Sequence, residues 1–175
     1  FQLKSGPGRH STPDLDVLDG LSSLVDKSLV RRRDGSDGEP RFAMFGAIRA
    51  FAADQLSSAG RADELRARHA RHFRGLVDRL RDAAELGDRE ALDHLEADHV
   101  DLRAAIAWAL EMHDDAAAVA LVSGLWRFWQ KRGYLAEART RLEAMDAKRW
   151  NLPAPIEGRL LEALGGVAYW QADYP

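Results

Sequence analysis

What most constrains this chain is a succession of apolar stripes at helical spacing, each stopped by glycine or proline. Beyond Met44 they follow one another almost without interruption. Phe45, Ile48, Ala52 and Leu56 form the first, and Gly60 stands where a left-handed C-cap belongs. Leu65, His69, Phe73, Leu76 and Leu80 form the second, which ends near Gly87. Leu92, Leu95, His99, Leu102, Ile106 and Leu110 keep one phase and read as a single third helix. Val122, Leu125, Trp126 and Trp129 carry a fourth that stops at Gly133. Leu135, Ala138, Leu142 and Met145 make a fifth, Pro153 and Pro155 break the chain, and Ile156, Leu160, Leu164 and Val167 make a sixth. Each stripe must bury itself on a neighbour, and the short links predict that consecutive helices lie antiparallel.

The segment before Met44 reads differently. Leu15 to Val25 has helical spacing, with Asp14 after Pro13 as the N-cap. Ser28 to Arg33 and Arg41 to Met44 read as two strands, with Phe42 and Met44 on one face. Asp34-Gly35 and Asp37-Gly38 are turn signals between them. The expectation is a helix packed on a small β-hairpin. Residues 1–13 are rich in Gly, Pro and Ser, lack the apolar core of a signal peptide, and read as a disordered leader or expression remnant. With no initiating Met, and with Trp170 to Pro175 stopping where a turn would hand over to a new helix, the sequence reads as an excerpt.

Composition excludes several function classes. No cysteine is present, which removes disulfides, thiolate zinc sites and a cysteine nucleophile, and agrees with a reducing cytoplasm as the expected location. The net charge of -3 gives no global field toward nucleic acid or an acidic membrane. No apolar run reaches bilayer-spanning length, so no membrane partner is expected.

The last two helical units have a repeat flavour. Trp129 precedes Gly133-Tyr134 with Ala136 and Ala138 following, and Trp170 precedes Asp173-Tyr174. An aromatic, a turn, then Tyr and small residues is the pattern of stacked tetratricopeptide-like helix pairs, here at longer spacing. The predicted fold is therefore mainly α. A winged-helix-like domain with a two-stranded hairpin spans 14–60, linking helices span 61–112, and a tetratricopeptide-like superhelical arm begins over 113–175.

Three stretches carry a family resemblance. Leu21 to Val30 with Arg41 to Ala52 resembles the winged-helix segment that follows the nucleotide-binding domain of STAND-type signalling ATPases. Leu95 to Ala109 resembles the helix that opens their superhelical arm, and Leu125 to Trp129 with Arg132 to Arg139 resembles its first repeat. Such chains are common in actinobacterial transcriptional regulators of the LuxR and AfsR kinds, some of them fused to adenylate cyclase domains. The resemblance covers about Asp14 to Pro175. It implies a regulatory, non-catalytic segment that couples ligand or partner sensing to a nucleotide switch outside this chain. The ATP or ADP would sit in an upstream domain, since no P-loop motif occurs here and no cofactor is expected in these residues. The implied partners are the protein's own nucleotide-binding domain, an unknown protein, peptide or small effector on the arm, and DNA through another domain. The family's sensor triplet, Met-His-Asp, falls at Met44, Phe45 and Gly46, where Phe45 has no donor for a phosphate and Gly46 no charge. Phe45 is instead expected to pack between helix and hairpin.

The chemistry-bearing residues weigh toward contacts. Arg31, Arg32, Arg33 and Arg41 flank the turn and could reach phosphates or another domain. A DNA-binding wing is the alternative reading, but Asp34, Asp37 and Glu39 offset the charge and the preceding helix is acidic. His69 and His72 share a face, while His94 and His99 cannot chelate together, so no metal site is expected and His99 is read as a hydrogen-bonded, half-buried residue. Carboxylates are spread among arginines along solvated faces, and no catalytic residues are expected. Trp126 and Trp129 are expected in the core, leaving Arg127, Phe128 and Arg132 as a candidate partner surface.

Overall fold

A computed structural model describes residues 17–35, 38, 40–146 and 152–172. The expected N-cap Asp14, the turn acids Asp37 and Glu39, Trp150 and the pair Asp173-Tyr174 lie outside the described residues. The chain is mainly helical with one two-stranded hairpin. Helix α1 (Val17–Asp26) leads into antiparallel strands β1 (Val30–Asp34) and β2 (Pro40–Met44). Seven helices follow: α2 (Gly46–Ser58), α3 (Ala62–Leu86), α4 (Arg89–Ala97), α5 (His99–Glu111), α6 (Asp115–Arg132), α7 (Leu135–Asp146) and α8 (Ala154–Trp170).

The helix ends follow local chemistry. Gly87 and Gly133 close α3 and α6 in the left-handed region, at φ +86° and +84°, where a side chain would be strained. Asp88 and Asp114 start α4 and α6 by accepting from the Ala91 and Ala117 amides at 2.8 and 3.0 Å. The single stripe from Leu92 to Leu110 is a correction: the chain breaks at Asp98 into α4 and α5, although both keep their apolar faces inward. Asp98 leaves helical geometry at φ -100°, ψ 9°, and its buried carboxylate is taken up by tertiary partners described below.

The core lies in the helical body. Helix α3 packs on α5 and α6, and α6 packs on α5, α7 and α8. Leu76 and Val77, Leu102 and Ile106, Leu125 and Trp129, Leu142, and Leu160 are all buried there. Two close approaches set the spacing. A Cβ at Gly124 of α6 would stand 2.5 Å from Val77 Cγ1 of α3, and one at Gly166 of α8 would overlap the Trp126 ring, with Cζ3 at 2.6 Å. The amino-terminal unit contrasts with this body. Among the described residues of 17–60, only Val30 is buried, and neither α1 nor α2 has a buried residue.

Candidate contact surfaces

The hairpin register decides where its arginines point. Arg31 pairs with Ala43, Arg32 with Phe42 and Arg33 with Arg41. Opposed residues share a face, so Arg31, Arg33 and Arg41 lie on one side and Arg32 and Phe42 on the other. The four cations are not equivalent. The Arg31 guanidinium sits 4.5 Å over the Phe45 ring. Arg32 stays exposed, 3.9 Å from the Asp34 carboxylate, and Arg33 is exposed as well. Arg41 turns inward and donates to Asp98 at the junction of α4 and α5, whose second oxygen lies 3.4 Å from His94 Nε2. This ion pair ties the hairpin to the helical body across 57 residues of sequence.

The expected sensor position spans the start of α2. Met44 ends β2, Phe45 is the N-cap residue with extended backbone and no capping side chain, and Gly46 begins the helix. The expectation that Phe45 packs between helix and hairpin is corrected: it touches the hairpin through Arg31 but stays 47% exposed, so it only borders the joint. Phe42 and Met44 share one face as expected, and both side chains are exposed, while Val30 opposite Met44 on that face is buried. Helix α1 carries Asp19 and Asp26 and no Lys or Arg, and it exposes Val17 and Leu18.

The candidate surface on the arm is corrected. Phe128 is fully buried, because α6 has neighbours on nearly every side and keeps no open face at that position. Trp126 and Trp129 are buried as expected. Arg127 stacks on Trp126 at 3.9 Å and lies 3.6 Å from Glu85. Arg132 donates to Asp93 at 2.5 Å, and that bond holds the Asp93 carboxyl below its ordinary value. Both arginines are thus engaged within the chain.

His99 centres a polar network that the sequence did not disclose. The Trp129 indole N–H donates to His99 Nε2 at 3.0 Å, which makes Nε2 an acceptor and the ring neutral. Phe128 meets the ring edge-on at 5.1 Å and Tyr134 lies tilted against it at 4.6 Å. Tyr134 donates to Glu96 at 2.6 Å, and Arg103 and Arg141 both donate to Glu137, whose Oε2 lies 3.6 Å from His99 Nε2. Burial pushes the His99 pKa down, and the nearby Arg103 charge adds to it. The arrangement interlocks α4, α5, α6 and α7. Its only sequence signal is a histidine on an apolar stripe. His69 on α3 pairs with Asp101 of α5 at 3.2 Å. Among the described residues no group of three or more His, Asp or Glu side chains is placed to hold a metal ion.

Comparison with known proteins bears on the amino-terminal unit first. Residues 10–57 match the winged helix-turn-helix domain family. The hairpin is then the wing, and α1 stands directly before it. Over its whole length the chain is 31% identical to "Putative HTH-type transcriptional regulator Mb0914c" of Mycobacterium bovis and to its counterpart Rv0890c of Mycobacterium tuberculosis. All of this chain is aligned, and it spans 20% of each relative's length. No solved structure matches significantly. Among the described residues no helix is long and apolar enough to cross a membrane.

Proposed function

We propose that this chain is the winged-helix and arm segment of a cytoplasmic transcriptional regulator, and that it works by contacts rather than by chemistry. The supporting observation is its similarity, end to end, to proteins named as HTH-type regulators. In this reading the regulator is of the STAND kind. The winged unit leans on a neighbouring nucleotide-binding domain, and the tetratricopeptide-like arm receives an effector or partner. An apolar α1 without cations suits a protein neighbour better than a phosphate backbone. At Met44, Phe45 and Gly46 no side chain offers a donor or charge for a phosphate, so the nucleotide is assigned to the neighbouring domain alone. The DNA contacts of such a regulator would come from another of its domains.

The test compares ATP turnover of the intact regulator with that of a form lacking residues 113–175. A switch biased by the arm predicts different turnover, and equal turnover would count against the coupling. A second reading is favoured by the winged helix-turn-helix match and by exposed Arg32 and Arg33: the wing itself rests on DNA phosphates. It predicts duplex affinity that falls steeply with salt and drops when both arginines become Ala.

A further inference from the structure

We propose that the winged unit is a hinged flap on the helical body, latched in place by the Arg41–Asp98 ion pair and free to swing about the turn between α2 and α3. Apolar packing does little to hold it. Among the described residues the core runs from Phe73 to Val167 and takes no side chain from residues 17–60. Where α2 meets α3 and α5 the joint is unfilled. An open groove of about 450 Å³ lies between Ala53 and Leu56 on one side and Leu65, Ala104 and Trp108 on the other. Such a gap forfeits the dispersion contacts that a filled joint would make. The turn itself offers little resistance to rotation. Gly60 carries it at φ +66° with open space around it, and Arg61 precedes α3 without capping it.

What fastens the unit is electrostatic. Arg41 reaches 57 residues along the chain to donate to Asp98. The Asp98 side chain is only 9% exposed, and His94 Nε2 lies 3.4 Å from its second oxygen. Stranding so buried a carboxylate without its cation would be costly. Asp98, however, has a second place to turn. It stands before α5 as Asp88 and Asp114 stand before α4 and α6. Those two accept from an amide of the helix they start, whereas Asp98 makes no such cap. Its carboxylate is drawn to the hairpin instead. When Arg41 withdraws, the same carboxylate can accept from the α5 amides, with His94 still beside it. Docked and capped arrangements are thus alternatives at one residue, which makes release reversible. A partner that favours one position of the wing would shift the balance by its difference in affinity for the two. The latch lies wholly within this chain and does not depend on which partner the wing meets.

The chain has no cysteine, so spin labels attach only where cysteines are introduced. One pair, Ser22→Cys on α1 with Leu86→Cys at the end of α3, reads the unit against the body by double electron–electron resonance, and both sites are exposed. A second pair, Ser22→Cys with Arg32→Cys, reads the unit alone. The parent should show one narrow separation for each. Arg41→Met keeps an apolar stem and removes the charge, and Asp98→Asn keeps a side chain able to cap α5. Each should raise a displaced population of the first pair about tenfold or more and leave the second pair unchanged. Arg33→Met, directly opposite Arg41 on the hairpin but exposed, should change neither. Thermal unfolding and α6 amide exchange check that the body stays folded. An unchanged first pair in both folded variants overturns the latch. So does an equal displaced population in the parent, or an equal effect of Arg33→Met. Loss of the second separation along with the first would mean that the unit unfolds rather than swings, and overturns the hinge.

Discussion

Replacing Trp129 with Phe tests the buried network directly. Trp129 is fully buried and donates its indole N–H to His99 Nε2 at 3.0 Å. Phenylalanine keeps an aromatic ring there but removes the donor. The stranded acceptor should cost about 1–3 kcal/mol. The smaller ring leaves a void worth about 1 kcal/mol more. The sum, about 2–4 kcal/mol, corresponds to a Tm lowered by about 5–15 °C for a chain of this size. Urea unfolding followed by far-UV circular dichroism gives the free energy. Trp170→Phe, at a half-exposed indole, serves as the control and should stay within about 0.5 kcal/mol of the parent. Adding His99→Leu to Trp129→Phe removes the stranded acceptor, and the double-mutant cycle should show coupling of about 1 kcal/mol. If Trp129→Phe costs no more than Trp170→Phe, the hydrogen bond does not stabilise the fold as argued.

Other expectations follow from the same contacts. His99 has its pKa pushed below 6.5 by burial and by Arg103, so the unfolded chain binds the extra proton first. Its contribution is fully present above pH 6.5 and is lost as pH falls through the window below, before the lowered carboxyls Asp93 and Glu137 titrate. Denaturation at a series of pH values should show this slope, and His99→Gln should flatten it. Gly166→Ala should cost about 1–3 kcal/mol in thermal unfolding because its Cβ meets the rigid Trp126 ring. Gly165→Ala, with open space around it, should be neutral or stabilising by up to about 1 kcal/mol. Asp98→Asn weakens the hold on Arg41 and should speed hydrogen exchange of the β1 and β2 amides while leaving those of α6 nearly unchanged.

Periodicity made the helical body legible, since its helices bury one another and their stripes carry the spacing. Gly60, Gly87 and Gly133 marked ends because left-handed geometry has a residue signature. The end of α5 had none: His113 takes φ +55° without being glycine. The break at Asp98 was hidden because Leu95, His99 and Leu102 keep helical phase across it. What bends the chain there is tertiary, a buried carboxylate meeting Arg41 from the hairpin. Phe128 was misplaced for a related reason. Period alone distinguishes two faces of a helix, but α6 is enclosed by α3, α5, α7 and α8, and enclosure is a property of neighbours. The arginines at 31–33 and 41 were legible as a group. Their division into exposed Arg32 and Arg33 and inward Arg41 was not, because Arg41 is set apart by a tertiary partner, Asp98 of the helical body.

The central claim is that the winged unit makes protein contacts and does not read a DNA sequence. Fluorescence anisotropy of this chain on labelled duplexes of differing sequence at low salt tests it most directly. The account predicts at most weak binding, indifferent to sequence and unchanged by Arg32→Ala with Arg33→Ala. Binding that discriminates between sequences, or that drops when both arginines become Ala, would contradict it.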